Sequence, residues 1–203
     1  MSPRVSDGGA GRVIAGTARG LRLDAPGDMT RPLSDRVKEA LFAILEPDLR
    51  NSRVLDLFAG SGAAGIEALS RGAGVATFVE RDRKAIAVIR ANLDRSRLGG
   101  TAARIVESDA LRWLRSGLAS QDGAWDVVII DPPYDKPDLL ISALEILGGE
   151  PALVSASGVV VAKHFWRNQP LERIGLLASD RARRFGDTAL TFYRVVQPAE
   201  AQP

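Results

Sequence analysis

Asp131-Pro132-Pro133-Tyr134 follows the apolar run Trp125-Asp-Val-Val-Ile-Ile130. The pattern is that of a buried strand ending in a carboxylate, two prolines and an aromatic ring. Prolines lack an N–H and fix φ, so a pair of them ends strand pairing and stiffens the backbone. Such stiffness suits a site where a carboxylate and a main-chain carbonyl face one target. An exocyclic amine on a nucleobase has two N–H donors, and the Asp131 carboxylate with the Pro132 carbonyl offers two acceptors. Tyr134 would supply a flat face for that base, worth about 1–3 kcal/mol per stacked base. A plain strand-to-loop turn carrying a surface tyrosine would use the same four residues, so the rest of the chain decides between them.

A second group lies upstream. Gly60-Ser61-Gly62-Ala-Ala-Gly65 has the spacing of a tight, ligand-approaching turn between a strand and a helix. Glu80 ends the next strand, where an acid holds ribose hydroxyls. A dinucleotide would rest its pyrophosphate on the helix N-terminus, but Asp56, four residues before Gly60, repels phosphate. A ligand with a ribose, no phosphate and a positive group near Asp56 fits better. S-adenosylmethionine, with its ammonium, sulfonium, ribose and adenine, meets that description, and Asp109 could accept from the adenine amine. Each acid taken singly is equally a helix N-cap or a solvated loop residue. Asp56, Glu80, Asp109 and Asp131 together, all at strand carboxyl ends, point to a cationic ligand rich in hydroxyl and amine donors.

The elements that must place these acids follow from hydrophobic periodicity. Arg12 to Leu23 reads as two short strands of a hairpin, with Gly16 to Gly20 in its turn. A helix begins after Ser34, its N-cap, and carries Val37, Ala40, Leu41 and Ile44 on one face. Strand Val54–Phe58 then leads to helix Ala63–Arg71, and strand Val75–Glu80 to a helix over Arg83–Leu98. Strand Ala103–Val106 precedes a helix with Leu111, Leu114 and Leu118 on one side. Strand Asp126–Ile130, helix Asp138–Leu147 and strand Gly158–Ala162 complete the alternation. Two closing strands, Ala182–Phe185 and Ala189–Val196, meet through Gly186-Asp187. Repeated strand–helix units predict an α/β fold, Rossmann-like, with a mostly parallel seven-stranded sheet and an antiparallel carboxyl-terminal edge. The expected organisation is a tail over 1–10, the hairpin over 11–29, the main domain over 30–197 and a tail over 198–203.

Composition narrows the chemistry. The 203 residues contain no cysteine and one histidine, His164, which excludes thiolate nucleophiles, disulfides and a multi-histidine metal centre. No apolar run reaches membrane-spanning length and the start lacks a signal peptide's hydrophobic core, so a cytoplasmic protein is expected. Net charge is only +2, yet lysine occurs only at Lys38, Lys84, Lys136 and Lys163, and arginine supplies the rest. Arginine forks match phosphate oxygens in two-pronged fashion. Arg4, Arg12, Arg19 and Arg22 crowd the first 23 residues, and Arg181, Arg183 and Arg184 form a second cluster; nucleic acid is a plausible partner on composition.

At this point the chain resembles a known family. Val54-Leu-Asp-Leu-Phe-Ala-Gly-Ser-Gly-Ala-Ala-Gly-Ile-Glu-Ala-Leu-Ser-Arg-Gly72 and Asp131-Pro-Pro-Tyr134 are similar to the RsmD-type 16S ribosomal RNA guanine-N2 methyltransferases. So are Arg12-Val-Ile-Ala-Gly16, Thr30-Arg-Pro-Leu-Ser-Asp-Arg-Val-Lys-Glu-Ala-Leu-Phe42 and Arg184-Phe-Gly-Asp-Thr-Ala-Leu-Thr-Phe-Tyr193. The resemblance spans roughly residues 12–195. It implies transfer of a methyl group from S-adenosylmethionine, leaving S-adenosylhomocysteine, to a guanine amine of small-subunit ribosomal RNA, free or in an assembling subunit. It implies that Asp56, Gly60 and Gly62 line the methionine end, Glu80 the ribose and Asp109 the adenine, with Phe58, Ala59, Ser61, Arg81, Ser108 and Ala110 beside them. Thr30, Arg31 and Pro32 match a segment near cofactor and substrate, and Asp131, Pro132, Pro133 and Tyr134 would hold the target base. Arg12, Arg19, Arg22 and Arg36 would hold RNA, and a monomer is expected. Where the family often has a glutamate after the Val159–Val161 strand, this chain reads Ala162-Lys163-His164; Phe185 stands at a common tyrosine. His164 is either a substrate contact or an internally satisfied polar residue. Three other readings remain: the same chemistry on adenine in RNA or DNA, a dinucleotide-dependent oxidoreductase resting on the glycine spacing, and a non-catalytic RNA-binding assembly factor.

Overall fold

Runs of apolar, often β-branched residues bounded by charged or glycine-rich turns make the strands, and the computed structural model describes them within residues 9–27, 33–121, 123–149 and 153–196. The strands are β1 (Arg53–Leu57), β2 (Val75–Glu80), β3 (Ala103–Glu107), β4 (Trp125–Ile130), β5 (Val154–Phe165), β6 (Arg173–Ile174), β7 (Leu177–Phe185) and β8 (Thr188–Val195). The helices are α1 (Asp35–Leu49), α2 (Ala63–Ser70), α3 (Arg83–Ser96), α4 (Ala110–Arg115), α5 (Leu118–Gln121) and α6 (Pro137–Gly149). All eight strands join one sheet in the order β3-β2-β1-β4-β5-β8-β7-β6. The first five are parallel, and β8 enters antiparallel between β5 and β7. The expected Rossmann-like sheet with its antiparallel edge is therefore present, and the two-residue β6 extends that edge by one strand.

Alternation along each strand sends side chains to two separate cores. Val54, Phe78, Val127, Val161 and Phe192 pack with Leu41, Phe42, Ile66 and Ile89 of α1, α2 and α3. Leu55, Val79, Val128, Val160 and Tyr193 pack on the other face with Trp113, Leu114, Leu140 and Leu144 of α4 and α6. Full burial of each large aliphatic chain contributes about 1.5–3 kcal/mol, so both helical layers are held by the hydrophobic effect.

Three local expectations are corrected. The single helix expected to carry Leu111, Leu114 and Leu118 is broken at Gly117, whose φ of +73° ends α4, and Leu118 stands 45% exposed at the start of α5. Strand β5 runs over twelve residues rather than five: residues 159–162 pair with β4 on one edge and β8 on the other, Val154 extends the pairing with β4, and residues 163–165 extend that with β8. The amino-terminal hairpin pairs without regular strands: the Arg12–Arg22 bridge is flanked by backbone hydrogen bonds from Ala10 to Leu23, Leu23 to Gly11, Val13 to Leu21 and Gly20 to Val13.

That amino-terminal segment is docked, not a free arm. The buried Glu67 carboxylate of α2 accepts from the backbone N–H of Ile14 at 2.7 Å and Ala15 at 3.0 Å, and pairs with Arg71 Nε at 2.8 Å. Ser70 donates its hydroxyl to the Ala15 carbonyl and accepts from the Ala18 N–H. Asn92 of α3 exchanges hydrogen bonds with Asp24 and also donates to the Ser61 carbonyl, tying the returning chain to the glycine loop. Ala10, at the end of the stretch expected as a tail, is buried and donates its N–H to Leu23.

Candidate active site

Strand order reverses between β1 and β4: β1 continues outward to β2 and β3, β4 to β5 and β8. A crevice at such a reversal, outside the carboxyl ends of the strands, is where ligands bind in this architecture. A cavity of about 670 Å³ opens there, within the range of small-molecule sites. Asp56, Glu80, Asp109 and Asp131 all line it. So do Phe58, Ala59, Gly60, Ser61, Arg81, Ser108, Ala110, Pro132, Pro133 and Tyr134. Gly62 lies one layer behind as the residue before α2, with φ +76°. Thr30, Arg31 and Pro32 lie outside the described residues.

The turn after β1 is held by the acids themselves. Phe58 adopts φ +62°, an uncommon conformation for a bulky residue that costs on the order of 1–3 kcal/mol and is kept by its surroundings. Glu80 supplies them: its carboxylate accepts from the N–H of Gly60 at 2.9 Å, of Arg81 at 2.8 Å and of Asp82 at 2.9 Å. Those bonds occupy most of the roughly four acceptor sites of a carboxylate. Asp109 caps α4 by accepting from Arg112 N–H at 3.1 Å and meets the Arg81 guanidinium at 3.5 Å. Asp56 is buried and accepts from the Gly65 N–H at 2.9 Å. Gly65 is required for this approach, because a Cβ there would collide with the Phe78 ring. Burial pushes the Asp56 carboxyl up to about 8; Asp131 and Glu80 push the same way, against the Gly65 hydrogen bond. A buried carboxyl with no cationic partner among the described residues becomes a place for an ammonium group once it gives up its proton.

The wall formed by β4 and β5 is built differently. Asp131 N–H bonds to the Leu57 carbonyl across the strand reversal at 3.3 Å. Asp131 Oδ1 accepts from Lys163 Nζ at 2.6 Å, and their side chains are 24% and 7% exposed. The Lys163 ammonium also stands 4.9 Å from the centre of the Tyr134 ring. Burial alone would lower the Lys163 pKa, but Asp131 and Tyr134 outweigh it and hold the group above its ordinary value. Asp131 Oδ2 and the Pro132 carbonyl have no hydrogen-bond partner among the described residues, whereas the Pro133 carbonyl accepts from Lys136 N–H. Tyr134 is fixed by a 2.7 Å hydrogen bond between its hydroxyl and Thr188 Oγ1.

Behind this wall lies a second cavity of about 250 Å³, and Pro132, Pro133, Tyr134 and Lys163 line both. His164 borders it, but both ring nitrogens are used: Nδ1 faces the Phe165 carbonyl at 2.8 Å and Nε2 faces Thr191 Oγ1 at 2.9 Å. Burial lowers its pKa, so the ring is neutral and internally satisfied near neutral pH.

The four amino-terminal arginines are spread apart. Arg12 is ion-paired with Asp35 at 3.2 Å, while the exposed side chains of Arg19, Arg22 and Arg36 meet no carboxylate among the described residues. Arg19 lies on the turn docked against the far end of α2, about a helix length from the cavity; Ala10, Ala25, Pro26 and Leu33 are the parts of this region that line it.

Sequence reasoning left Lys163 without a role and overlooked Thr188. A lysine inside the apolar strand Val159-Val-Val-Ala-Lys-His164 was the available signal, since a buried ammonium requires a partner. Nothing local marks Thr188, because its partner is 54 residues away.

Residues 11–194 match the family model described as conserved hypothetical protein 95. The chain is 38% identical over 184 residues to YlbH of Bacillus subtilis (strain 168), covering 90% of this chain and 98% of that protein. It is 42% identical over 137 residues to ribosomal RNA small subunit methyltransferase D of Escherichia coli (strain K12), covering 66% and 65% of the two chains. The solved structure of the Escherichia coli yhhF protein shares 32% identity at a TM-score of 0.77, covering 91% of this chain and 97% of that one.

Proposed function

Because the chain belongs to the family described as conserved hypothetical protein 95, the RsmD-type methyltransferases, we propose that it methylates the N2 amine of a guanine in small-subunit ribosomal RNA. The observation that carries this reading is the shared wall. A cavity of about 670 Å³ lined by Asp56, Glu80 and Asp109 and one of about 250 Å³ meet at Pro132, Pro133, Tyr134 and Lys163, with Asp131 at the junction. The larger would take S-adenosylmethionine and the smaller a nucleobase.

The residues present fit that cofactor. Asp56 offers its ammonium a buried carboxyl, and the acceptor capacity left on Glu80 and Asp109 suits hydroxyl and amine donors. When bound, S-adenosylmethionine supplies an electrophilic methyl carbon on a sulfonium. The chain's own part is orientation. Asp131 Oδ2 and the Pro132 carbonyl accept the two N–H groups of the base amine, turning its nitrogen lone pair toward the larger cavity. Lys163, bound to Asp131 Oδ1, fixes which oxygen faces the base. Tyr134, pinned by Thr188, gives the base a face to stack on. Positioning of this kind contributes up to about 7–11 kcal/mol to a bimolecular reaction. A methylated aromatic ammonium is strongly acidic, so its proton leaves after methyl transfer without a strong base.

The base must leave its helix to reach the smaller cavity, which favours a loop or an opened stem. Arg19, Arg22 and Arg36, exposed and without carboxylate partners among the described residues, are the amino-terminal residues best suited to phosphate. The reading includes a cytoplasmic, monomeric enzyme, and no helix among the described residues is long and apolar enough to cross a membrane.

The test is transfer of tritiated methyl from S-adenosylmethionine to undermethylated small subunits, naked ribosomal RNA and DNA in parallel, followed by nucleoside identification. N2-methylguanosine from RNA or subunits is expected. Label in adenine or DNA would replace the substrate while leaving the cofactor, and bound cofactor with no transfer would favour an assembly factor.

A further inference from the structure

Three observations outside the reaction centre converge on one corner of the sheet. The first is charge without counter-charge. Several arginines elsewhere are neutralised: Arg71 by Glu46 and Glu67, Arg83 by Glu107, Arg194 by Asp48. Arg167, Arg181, Arg183 and Arg184 are exposed and meet no carboxylate among the described residues.

The second is an ordered aromatic stack. The Arg184 guanidinium lies 3.6 Å from the centre of the half-buried Trp166 ring, and that of Arg167 lies 4.7 Å from it. Arg184 Nε donates to the Gly186 carbonyl at 2.9 Å, so one edge of the fork is anchored on an otherwise exposed residue. A guanidinium held flat on an indole has lost most of its freedom before any ligand arrives, which favours two-pronged contact with phosphate oxygens.

The third is position. Trp166 N–H donates to the Asp187 carbonyl at 3.0 Å, and the next residue, Thr188, holds the Tyr134 hydroxyl. Through Ala189, Arg184 is in register with His164, which borders the smaller cavity. The stack therefore lies on the same face of the sheet as that cavity, joined to the base-stacking tyrosine by consecutive residues of one turn. Arg183, in register with Lys163 through Leu190, adds charge on the other face. Local acids do not cancel this: residues 165–188 hold five arginines against three carboxylates, and one of these, Asp180, lies 3.9 Å from Arg194.

We propose that Arg184 and Arg167, stacked on Trp166 at the β7–β8 turn, form a second RNA-binding surface that grips the single-stranded backbone flanking the target base. The proposal rests on the RNA reading of the neighbouring site, but it assigns the backbone contacts nearest the reacting base to the carboxyl-terminal turn. The amino-terminal loop, docked on α2, holds more distant phosphates. The surface reads backbone and not sequence, so it contributes affinity and placement rather than base choice.

The test compares the full chain with Arg167→Ala/Arg184→Ala, Arg184→Lys and Trp166→Leu. Binding of a mixed-sequence single-stranded RNA oligonucleotide is measured against salt concentration, alongside cofactor affinity and steady-state methylation. The double variant is expected to weaken oligonucleotide binding and raise KM for RNA by about ten-fold or more, as for removal of one or two charge-assisted hydrogen bonds. Its salt slope should fall by about 0.7 for each phosphate that is no longer neutralised, with kcat and cofactor affinity unchanged. Arg184→Lys should recover only part of the loss, because an ammonium keeps the charge without the flat fork. Trp166→Leu should show the same partial loss. Unchanged RNA affinity and salt slope in the double variant would overturn the proposal, as would a loss shared equally by cofactor binding. If the wild type binds the oligonucleotide with these dependences yet methylates no RNA, the catalytic reading fails and the surface stands.

Discussion

The two walls of the central cavity solve the same problem, holding acids in place, by opposite means. On the β1–β2 side, the carboxylates are fixed by backbone N–H groups, most of them within nine residues and one, Gly60 on Glu80, 20 residues away. Asp56 uses Gly65, Glu80 uses Gly60, Arg81 and Asp82, and Asp109 uses Arg112. On the β4–β5 side, the fixing groups are side chains from far along the chain: Lys163 for Asp131, 32 residues on, and Thr188 for Tyr134, 54 residues on. A wall fixed mostly by its own turns needs only the neighbouring β1–β2 pair to be complete. A wall built across strands exists only once the sheet has assembled. The first therefore suits a cofactor site common to many chemistries and the second suits a substrate site particular to one.

If that division is real, damage on one wall changes binding and damage on the other changes turnover. The largest effect is expected from Asp131→Ala: kcat for methyl transfer should fall by about 10²–10³ or more, while the cofactor dissociation constant stays within a few-fold. Loss of cofactor binding in that variant would break the comparison at its sharpest point.

Asp56→Asn tests the opposite wall. It keeps the shape of the protonated acid but cannot become an anion, so affinity for a cationic cofactor should drop by about 30-fold or more, as for truncation of a buried charged pair. The pH dependence follows from a folded-state carboxyl raised to about 8. Below that pH the acid must release a proton to accept an ammonium, so wild-type affinity should rise with pH and level off above about 8. Without ligand, the folded state holds a proton that the unfolded chain releases above 3.8, so this group's contribution to stability is present at low pH and lost as pH rises through about 8. Calorimetric titration of both proteins between pH 6 and about 9 checks the first point; a pH-independent wild-type affinity would count against Asp56 as the ammonium partner.

Lys163→Met removes the charge that fixes Asp131 and keeps most of the volume. A fall in kcat of roughly ten-fold is expected, with cofactor affinity retained. Combined with Asp131→Asn it should add little, because Lys163 acts through that carboxylate. Full additivity in the double variant would show that the lysine works independently.

The smallest effects belong to the Tyr134 anchor. Tyr134→Phe and Thr188→Val each remove one hydrogen bond worth about 0.5–1.5 kcal/mol net, so both should change kcat/KM by a few-fold, and to the same extent. Tyr134→Ala removes the ring and should be markedly worse. Equal losses from the alanine and phenylalanine variants would mean that the hydroxyl, not the stacking face, carries the role.

The same contrast explains what could be read from the residues in order. The glycine turn, the acids at strand ends and the Asp-Pro-Pro-Tyr segment were legible because each is a short pattern whose geometry its own backbone dictates. The alternation of strands and helices was legible for a similar reason, since burial of one face imposes a period of two or of about 3.6 residues. The break between α4 and α5 was missed because Leu111, Leu114 and Leu118 keep a helical spacing across Gly117, and only the turn made by that glycine interrupts it. The length of β5 was missed because its two ends serve different neighbours. Arg12 was expected to be available to RNA, and its pairing with Asp35 depends on how the amino-terminal segment docks onto α1 and α2.

The sequence by itself thus determined the class of fold, the acid-rich edge and the Asp-Pro-Pro-Tyr turn, since each is set by covalent geometry, periodic burial or largely local hydrogen bonds. Only the tertiary structure decided that Lys163 replaces an expected acid by neutralising Asp131, that Thr188 holds Tyr134, and that Arg184 stacks on Trp166 beside the smaller cavity. Those contacts join residues brought together by strand pairing, and a linear pattern contains no trace of which strand will lie beside which until the sheet has closed.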